Sequence, residues 1–267
     1  MKKNLTFKMT LISVSMMMIL SGCREKAIEK PVDEEVTLLI AAASSLEYSF
    51  SEELIPLFEK ENPGIKVEGS YDSSGKLQTQ IEEGLDADLF MSASTKQMIS
   101  LEEKNLIDDS SIVELLENKI VLITSAENKE NLLRFEDILN AKTVALGDPE
   151  SVPIGQYAKE ALTTLGFWEE MKAKASFGTN VTEVLNWVAE GSADAGIVYS
   201  TDAATTNKVA VIAEAPDGSL AKKVIYPIGV VSASTKKVAA SKFIEFLKSD
   251  EAMRIFAKYG FLDKHEF

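Results

Sequence analysis

VTLLIAAASS, residues 36–45, is the stretch that decides the fold. Its first eight residues form a predominantly apolar run, which is typical of a parallel strand buried on both faces. Two serines end the run, and apolar residues then recur at every fourth position, which predicts the buried face of a helix. These positions are Leu46, Phe50, Leu54 and Phe58. Pro56 lies inside the same segment and should kink this helix or break its last turn.

Strand-like and helical segments continue to alternate along the chain. The predicted strands cover residues 65–71, 88–93, 119–124, 143–146, 195–199 and 224–231. Segments with one apolar helical face follow most of them, and glycines end several of these helices. This alternation predicts an α/β fold with a parallel sheet. The length is sufficient for two α/β lobes of ordinary domain size.

The N-terminus has the features of a secretory signal. A basic start with three lysines precedes the apolar run 9–20, which is too short to span a bilayer. The run ends in LSGC, residues 20–23, which resembles the lipobox of bacterial lipoproteins, and Cys23 is the only cysteine. We therefore expect residues 1–22 to be a signal peptide and Cys23 to be lipidated. The charged segment 24–35 should extend from it as a flexible tether.

The composition is acidic, with 28 Lys and Arg residues against 42 Asp and Glu residues and a formal net charge of −14. Removing the signal peptide deletes three lysines, which leaves 25 against 42, or −17. Such a charge repels nucleic acid and anionic membrane surfaces, so no nucleic-acid partner is expected. It also repels anions at long range. Any site for a dianion must therefore act through short-range dipoles.

Four segments share one design, in which a strand ends, a turn of small or polar residues follows, and a helix begins. They are residues 44–45, 73–75, 152–155 and 180–181. In open α/β sheets ligands bind at the carboxyl ends of strands, and helix N-termini there provide free N–H groups and a positive dipole end. Serine hydroxyls add further donors. Because no Lys, Arg or His is common to these turns, the pattern favours a dianion held by neutral donors.

Each of these polar residues also has an ordinary structural interpretation as a helix N-cap. Ser44 and Glu47 fit the capping box S-x-x-E, and Asn180 is a typical N-cap for the helix that follows it. The four turns taken together are more informative than any single serine.

Five segments, in order, resemble the molybdate-binding proteins of molybdate ABC transporters. They are VTLLIAAASS (36–45), SYDSSGKLQTQIEEGLDADLFMSAS (70–94), VALGDPESVPIGQYAKEAL (144–162), AGIVYSTDA (195–203) and IFAKYGF (255–261). The resemblance covers nearly all of residues 36–263. GDPESVPIGQYAKEAL is the most specific piece, whereas the DADLFMSAS segment is shared more broadly among type II solute-binding proteins.

This resemblance implies a two-lobed type II periplasmic-binding-protein-like fold with the ligand cleft between the lobes. Lobe 1 would comprise residues 36–117 and 226–267, and lobe 2 residues 118–225. The implied partners are molybdate or tungstate, an ABC transporter permease, and the membrane through the lipid anchor. The protein would act as a monomer on the extracytoplasmic face, without a cofactor and without a direct metal-cation site.

The resemblance also implies the site, residue by residue. Hydroxyl donors would come from Ser44, from Ser74 with Ser73 as the adjacent alternative, and from Tyr199. Backbone N–H donors would come from Ile154 and Val181. The family commonly has a smaller alanine where this chain has Ile154.

The sequence also contains features of other protein classes. Residues 73–76 fit the serine–lysine motif S-x-x-K, but no K-T-G or S-D-N triplet and no G-x-S-x-G elbow accompanies it, and the single histidine, His265, lies in the C-terminal tail. We therefore expect no enzyme.

A ferric-ion carrier of the same fold would use paired tyrosines, for which Tyr71 and Tyr199 are candidates. Sulfate, phosphate and thiosulfate remain as alternative oxyanions. Phosphate would favour an acceptor carboxylate, and Asp72 is expected to face solvent instead.

Overall fold

The computed structural model describes residues 35–128 and 132–263. Residues 1–34, which include the predicted signal peptide, Cys23 and nearly all of the tether, lie outside the described part, as does His265. The strands are β1 Val36–Ala43, β2 Ile65–Asp72, β3 Leu89–Met91, β4 Val113–Asn118, β5 Ile120–Ser125, β6 Val144–Gly147, β7 Ala175–Gly178, β8 Ala195–Tyr199, β9 Val209–Glu214, β10 Val224–Val230 and β11 Leu262–Asp263.

The helices surround these strands. They are α1 Glu47–Ser49, α2 Ile55–Glu61, α3 Ser74–Glu82, α4 Thr95–Glu103, α5 Pro153–Thr164, α6 Trp168–Lys174, α7 Val181–Ala189, α8 Ser200–Ala203, α9 Lys237–Leu247 and α10 Asp250–Lys258. Across the described ranges, none of the helices combines the length and apolar character that a membrane span requires.

The strands form two sheets, one for each lobe. The first has the order β11-β4-β10-β3-β1-β2, and the second β7-β6-β8-β5-β9. Strand β1 is parallel to β2 and β3, and β6 is parallel to β7 and β8. These parallel pairs confirm the predicted α/β fold, and both sheets also contain antiparallel strands, because β10 is antiparallel to β3 and β4, β11 is antiparallel to β4, and β5 is antiparallel to β8 and β9. Of these three strands, β10 and β5 enter their sheet from the other lobe, whereas β11 follows the C-terminal helices α9 and α10.

The chain crosses between the sheets twice. Only Lys119 separates β4 from β5 at the first crossing, and the second crossing lies between the end of β9 at Glu214 and the start of β10 at Val224. The sequence places these boundaries between 117 and 118 and between 225 and 226. The first therefore falls one residue before the end of β4, and the second falls inside β10.

An aromatic cluster anchors the C-terminal helices to the first lobe. Ring centroids of neighbouring members lie 4.8–6.1 Å apart. The members are Phe50, Phe58, Phe243, Phe246 and Phe256. Burial of such rings is a large contribution to core stability. Helices α9 and α10 thus pack in the lobe that contains β1.

The helix after β1 accommodates Pro56 without ending there. A π-helical turn, Phe50–Leu54, lies between α1 and α2, and α2 continues to Glu61. Proline lacks the N–H that would bond back to the preceding turn, and a wider π turn is one way to accommodate that loss. Of the two predicted effects of Pro56, a kink or a broken last turn, the broken turn is not observed, and the helix is irregular just before the proline.

Candidate functional site

In the first lobe, the ends of neighbouring parallel strands bring the predicted serines to one edge of the sheet. Ala43 at the end of β1 pairs with Asp72 at the end of β2, and Ala42 pairs with Met91 at the end of β3. Ser44 and Ser73 therefore follow adjacent strand ends. This is the edge at which ligands bind in open α/β sheets.

Ser44 begins a short 3₁₀ turn and does not cap a helix. The turn covers Ser44–Leu46, and neither it nor α1 receives a side-chain capping hydrogen bond. The predicted capping box between Ser44 and Glu47 is therefore wrong. Ser44 is only 9% exposed. Its hydroxyl is thus at a nearly buried strand end and is not used in capping.

The next two serines begin α3. Ser73 is the N-cap residue but makes no capping bond, and its buried Oγ has no hydrogen-bond partner in the described part of the chain. Ser74 is fully buried, and its Oγ accepts a hydrogen bond from the N–H of Ala93 at 3.0 Å. Because that bond uses only a lone pair, the Ser74 hydroxyl can still donate its proton.

Asp72 is neutralised locally rather than directed at an anion. One carboxylate oxygen accepts from the N–H of Ser73 at 2.7 Å and lies 3.2 Å from the ammonium of Lys76. The Asp72 side chain is partly exposed. Lys76 therefore pairs with Asp72 and not with a serine, so the S-x-x-K segment does not form a nucleophile and base.

In the second lobe, two helix N-termini follow paired strand ends in the same way. Gly147 at the end of β6 pairs with Gly178 at the end of β7. Ile154 is the second residue of α5, so its N–H belongs to the first-turn groups that have no acceptor within the helix. Gly155 allows close packing here, because a Cβ at that position would lie 2.2 Å from the carbonyl oxygen of Gly147.

The helix α7 provides the second of these N-termini. The side chain of Asn180 accepts from the N–H of Glu183 at 2.9 Å, which confirms the predicted cap. Val181 is the first residue of the helix and is buried, and its N–H is likewise one of the groups without an intrahelical acceptor. Helix α7 lies against the turn that starts with Ser44. A helix of the second lobe thus meets the first candidate donor of the first lobe.

Tyr199 ends β8 and reaches across to the first lobe. It is almost fully buried, and its hydroxyl donates to the carbonyl oxygen of Ala93 at 3.3 Å. Burial raises the pKa of Tyr199 well above its ordinary value, so the hydroxyl keeps its proton. Since the N–H of Ala93 bonds to Ser74, a single residue contacts candidate donors from both lobes.

Two further hydrogen bonds join the lobes beside this site. The N–H of Gly75 donates to the carbonyl oxygen of Ser151 at 3.0 Å, and Nε2 of Gln97 donates to Oε1 of Gln156 at 3.2 Å. A Cβ at position 75 would lie 2.1 Å from the same carbonyl oxygen, so the approach requires glycine. The lobes are therefore in direct contact around the candidate donors.

Sequence reasoning missed several residues around the site. Ala93, Asn118 and Tyr226 contribute through contacts that no local pattern specifies. Asp202 lies within the quoted segment AGIVYSTDA but was not singled out. It is 5% exposed, its Oδ2 has no partner among the described residues, and burial raises its pKa to about 8. The sequence signal that could have identified Asp202 is its position three residues after the predicted donor Tyr199.

Two α/β lobes that are joined by two crossings and meet at strand ends and helix N-termini are typical of solute-binding proteins. The family of bacterial extracellular solute-binding proteins matches residues 38–262, and the chain belongs to this family. YvgL of Bacillus subtilis (strain 168), named as a candidate ABC transporter substrate-binding lipoprotein, is 36% identical over 260 residues, which are 96% of this chain and 97% of YvgL.

Two other similar proteins extend the comparison. The molybdate-binding protein ModA of Haemophilus influenzae is 39% identical over 212 residues, which are 78% of this chain and 83% of ModA. A solved structure of the substrate-binding domain of a candidate molybdenum ABC transporter from Clostridium difficile is 37% identical, with a TM-score of 0.67. The match covers 85% of this chain and 99% of that domain. These names describe solute-binding proteins and not enzymes.

Proposed function

We propose that this protein captures molybdate or tungstate outside the cytoplasm and delivers it to an ABC importer. The observation that carries the proposal is the contact of Ala93 with both Ser74 and Tyr199, which brings donors of the two lobes to one place. The names of ModA of Haemophilus influenzae and of the Clostridium difficile domain support this ligand. The oxyanion is cargo here, and no cofactor takes part.

The proposed donors are neutral. Hydroxyls of Ser44, Ser74 and Tyr199 and the first-turn N–H groups of Ile154 and Val181 would surround the anion. Helix N-termini stabilise negative charge through their free N–H groups and aligned dipoles. These interactions act over short distances, which suits a chain of net charge −14. Exclusion of water by the closed lobes lowers the effective dielectric and strengthens each bond.

Binding by both lobes at once would couple the ligand to closure. A ligand that contacts both lobes has a higher affinity for the closed arrangement and shifts the population toward it. The importer can then distinguish loaded from empty protein by shape. Small-angle scattering should therefore show a smaller radius of gyration after molybdate is added, and an unchanged radius despite tight binding would contradict the coupling.

A ferric-ion carrier is a weaker candidate for this site. Tyrosine binds ferric ion as the deprotonated phenolate, whereas burial raises the pKa values of Tyr71 and Tyr199. Phosphate is disfavoured because Asp72, the carboxylate beside the serine turn, is paired with Lys76. Sulfate and thiosulfate share the charge and tetrahedral shape of molybdate, so ion size and donor placement must distinguish them.

Calorimetry tests the proposal directly. The protein is titrated with molybdate, tungstate, sulfate and phosphate at constant ionic strength, and with ferric citrate as the control for the metal-carrier alternative. We expect saturable one-to-one binding of molybdate and tungstate, and at least about 100-fold weaker binding of sulfate and phosphate, a difference of roughly 2.7 kcal/mol. Tighter binding of sulfate, phosphate or ferric ion than of molybdate would overturn it.

Anchoring through Cys23 is a separate part of the proposal. It is supported by the LSGC segment and by the name of the lipoprotein YvgL, which matches 96% of this chain. In Cys23→Ala the protein should move from the membrane fraction to the soluble fraction or remain as an unprocessed precursor with its signal peptide. Ser21→Ala retains the cysteine and serves as the control. Lipid labelling of the Cys23→Ala protein equal to that of wild type would disprove this anchor.

A further inference from the structure

Two buried polar side chains connect the lobes behind the candidate site. Tyr226 lies in β10 and is fully buried, and Asn118 is the last residue of β4 and is 3% exposed. Nδ2 of Asn118 donates to the hydroxyl oxygen of Tyr226 at 3.2 Å and to the hydroxyl oxygen of Thr201 at 2.9 Å. Thr201 belongs to the second lobe, so this short network spans both lobes.

The ends of the network lie next to proposed donors. The hydroxyl of Tyr226 is hydrogen-bonded to the hydroxyl of Ser45 at 3.0 Å, and Ser45 directly follows Ser44. Oδ1 of Asn118 accepts from the hydroxyl of Ser200 at 3.0 Å, and Ser200 directly follows Tyr199. The same network therefore contacts the neighbour of one donor in each lobe.

The network also lies at the crossings between the sheets. Asn118 immediately precedes the first crossing, at Lys119, and its Oδ1 accepts from the N–H of that residue at 2.8 Å. Tyr226 is the third residue of β10, which begins directly after the second crossing. Its ring packs edge-on against the ring of Tyr199, with centroids 5.6 Å apart. Movement of the lobes about these crossings must change the distances within the network.

We propose that Tyr226 is a positioning residue for anion binding, and this rests on the oxyanion function proposed above. Its hydroxyl holds Ser45 and thereby orients the turn that presents Ser44. Through Asn118 the same hydroxyl is linked to the turn after Tyr199. A polar network whose members are all hydrogen-bonded favours a single geometry. Donors held in that geometry before the anion arrives lose less conformational freedom on binding.

A purely structural role for the network predicts a different result. If the hydroxyl only stabilised the fold, its loss would lower the unfolding temperature and leave the affinity of the folded protein unchanged. If it positions the donors, its loss weakens binding even when the fold is intact. Tyr226→Phe distinguishes the two roles, because it retains the ring contact with Tyr199 and removes only the hydroxyl.

The test is calorimetry with molybdate, together with thermal unfolding of the unliganded protein. Tyr226→Phe should weaken molybdate binding roughly 10-fold, as expected from the loss of about one hydrogen bond. The unfolding midpoint should fall by less than about 4 °C. Tyr259→Phe is the matched control, since the Tyr259 hydroxyl bonds to Glu52 and Glu53 within the first lobe, and its affinity should equal that of wild type.

A second set of variants reaches the same hydrogen bond from its other end. Ser45→Ala should weaken binding by a similar factor, and Ser45→Thr, which restores a hydroxyl, should recover most of the affinity. The double variant of Tyr226→Phe and Ser45→Ala should bind no more than about twofold more weakly than either single variant, because the two residues act through one bond. If Tyr226→Phe does not fold, the Ser45 variants alone test whether the bond between Tyr226 and Ser45 positions the anion donors.

The outcomes separate this inference from the function on which it rests. Absence of molybdate and tungstate binding by the wild-type protein would overturn both. Wild-type binding with unchanged affinity in Tyr226→Phe and Ser45→Ala would overturn the positioning role alone. Additive losses of affinity in the double variant would also overturn the positioning role alone.

Discussion

Asp202 should make the stability of this protein depend on pH in the neutral range. The residue lies in the short helix α8, is 5% exposed, and has one carboxyl oxygen without a partner among the described residues. Burial raises its pKa to about 8. In the unfolded chain an aspartate has a pKa of about 3.9. The folded protein therefore holds a proton on Asp202 at pH 7 that the unfolded chain has released.

The sign and size of the effect follow from this difference. A raised pKa in the folded state contributes stability that is fully present below about pH 3.9 and is lost as pH rises toward about 8. Within that window one extra bound proton changes the free energy of unfolding by about 1.4 kcal/mol per pH unit. Between pH 5.5 and 7.5 the protein should lose about 2–3 kcal/mol from this group.

Carboxyl groups with lowered pKa values act in a more acid range. Glu59, Glu82 and Asp194 have lowered pKa values, Glu59 and Asp194 through backbone hydrogen bonds and Glu82 through side-chain bonds, and their effect has the opposite sign. Their stabilisation is lost only as pH falls below the ordinary carboxyl range near 4. The chain has one histidine, His265. Asp202 should therefore dominate the slope above pH 5.5.

Asp202→Asn is the perturbation, because an amide has nearly the same shape and stays neutral. Urea unfolding of the unliganded protein, followed by circular dichroism at pH 5.5, 6.5 and 7.5, gives the free energy of unfolding. We expect the wild-type slope to disappear in the variant. The absolute stability is a poorer measure, since the new NH₂ group can itself remain unpaired at a cost of about 1–3 kcal/mol.

Asp194→Asn is the matched control, because Asp194 accepts hydrogen bonds from the N–H groups of Lys142 and Thr143 and titrates in the acid range. That variant should be less stable at every pH in the window but should keep the wild-type slope. An equal slope in wild type and Asp202→Asn would refute the reasoning, because the proton would then reside on another group.

Three further predictions concern the proposed anion site. Ser44→Ala and Ser74→Ala should each weaken molybdate binding roughly 10- to 150-fold, since a hydrogen bond to a charged group contributes about 1.5–3 kcal/mol. If calorimetry gives wild-type affinity for both variants, the proposed location of the pocket is wrong. Tyr199→Phe should weaken binding by about 1–3 kcal/mol while unliganded stability changes by less than roughly 1 kcal/mol, and an unchanged dissociation constant would remove Tyr199 from the site. Gly75→Ala should reduce molybdate-induced compaction in small-angle scattering and weaken binding at least about 10-fold. The reason is that the added Cβ would lie 2.1 Å from the carbonyl oxygen of Ser151. Full compaction of the variant would show that closure does not require this contact.

Local patterns were sufficient for much of the fold. The apolar run that forms β1, the helical face of α5 and the cap at Asn180 each depend on residues within a few positions of one another. Strands β4, β7, β9 and β11 were missed. The sequence of β4, VELLEN, alternates too little for a clear period of two, and β7 has only four residues. Their strand conformation depends on pairing with distant partners, which a local window does not contain.

Local sequence patterns also predicted some features of the candidate site. The sequence determined which turns carry serine, glycine or a helix start, because these features depend on local backbone chemistry and on the order of strands and helices. It therefore placed Ser44, Ser74, Ile154, Val181 and Tyr199 at strand ends or helix starts. It could not determine whether a serine caps its own helix, and the capping box predicted at Ser44 is wrong.

Only the tertiary structure decided how the two lobes meet. Ala93 contacts Ser74, 19 residues away, and Tyr199, 106 residues away. Asn118 and Tyr226 are 108 residues apart, yet they share one hydrogen bond. Asp202 likewise lies in α8, which packs against the distant strand β5. Such contacts depend on the relative placement of whole sheets, which follows from the total packing of the core and not from spacing along any one segment.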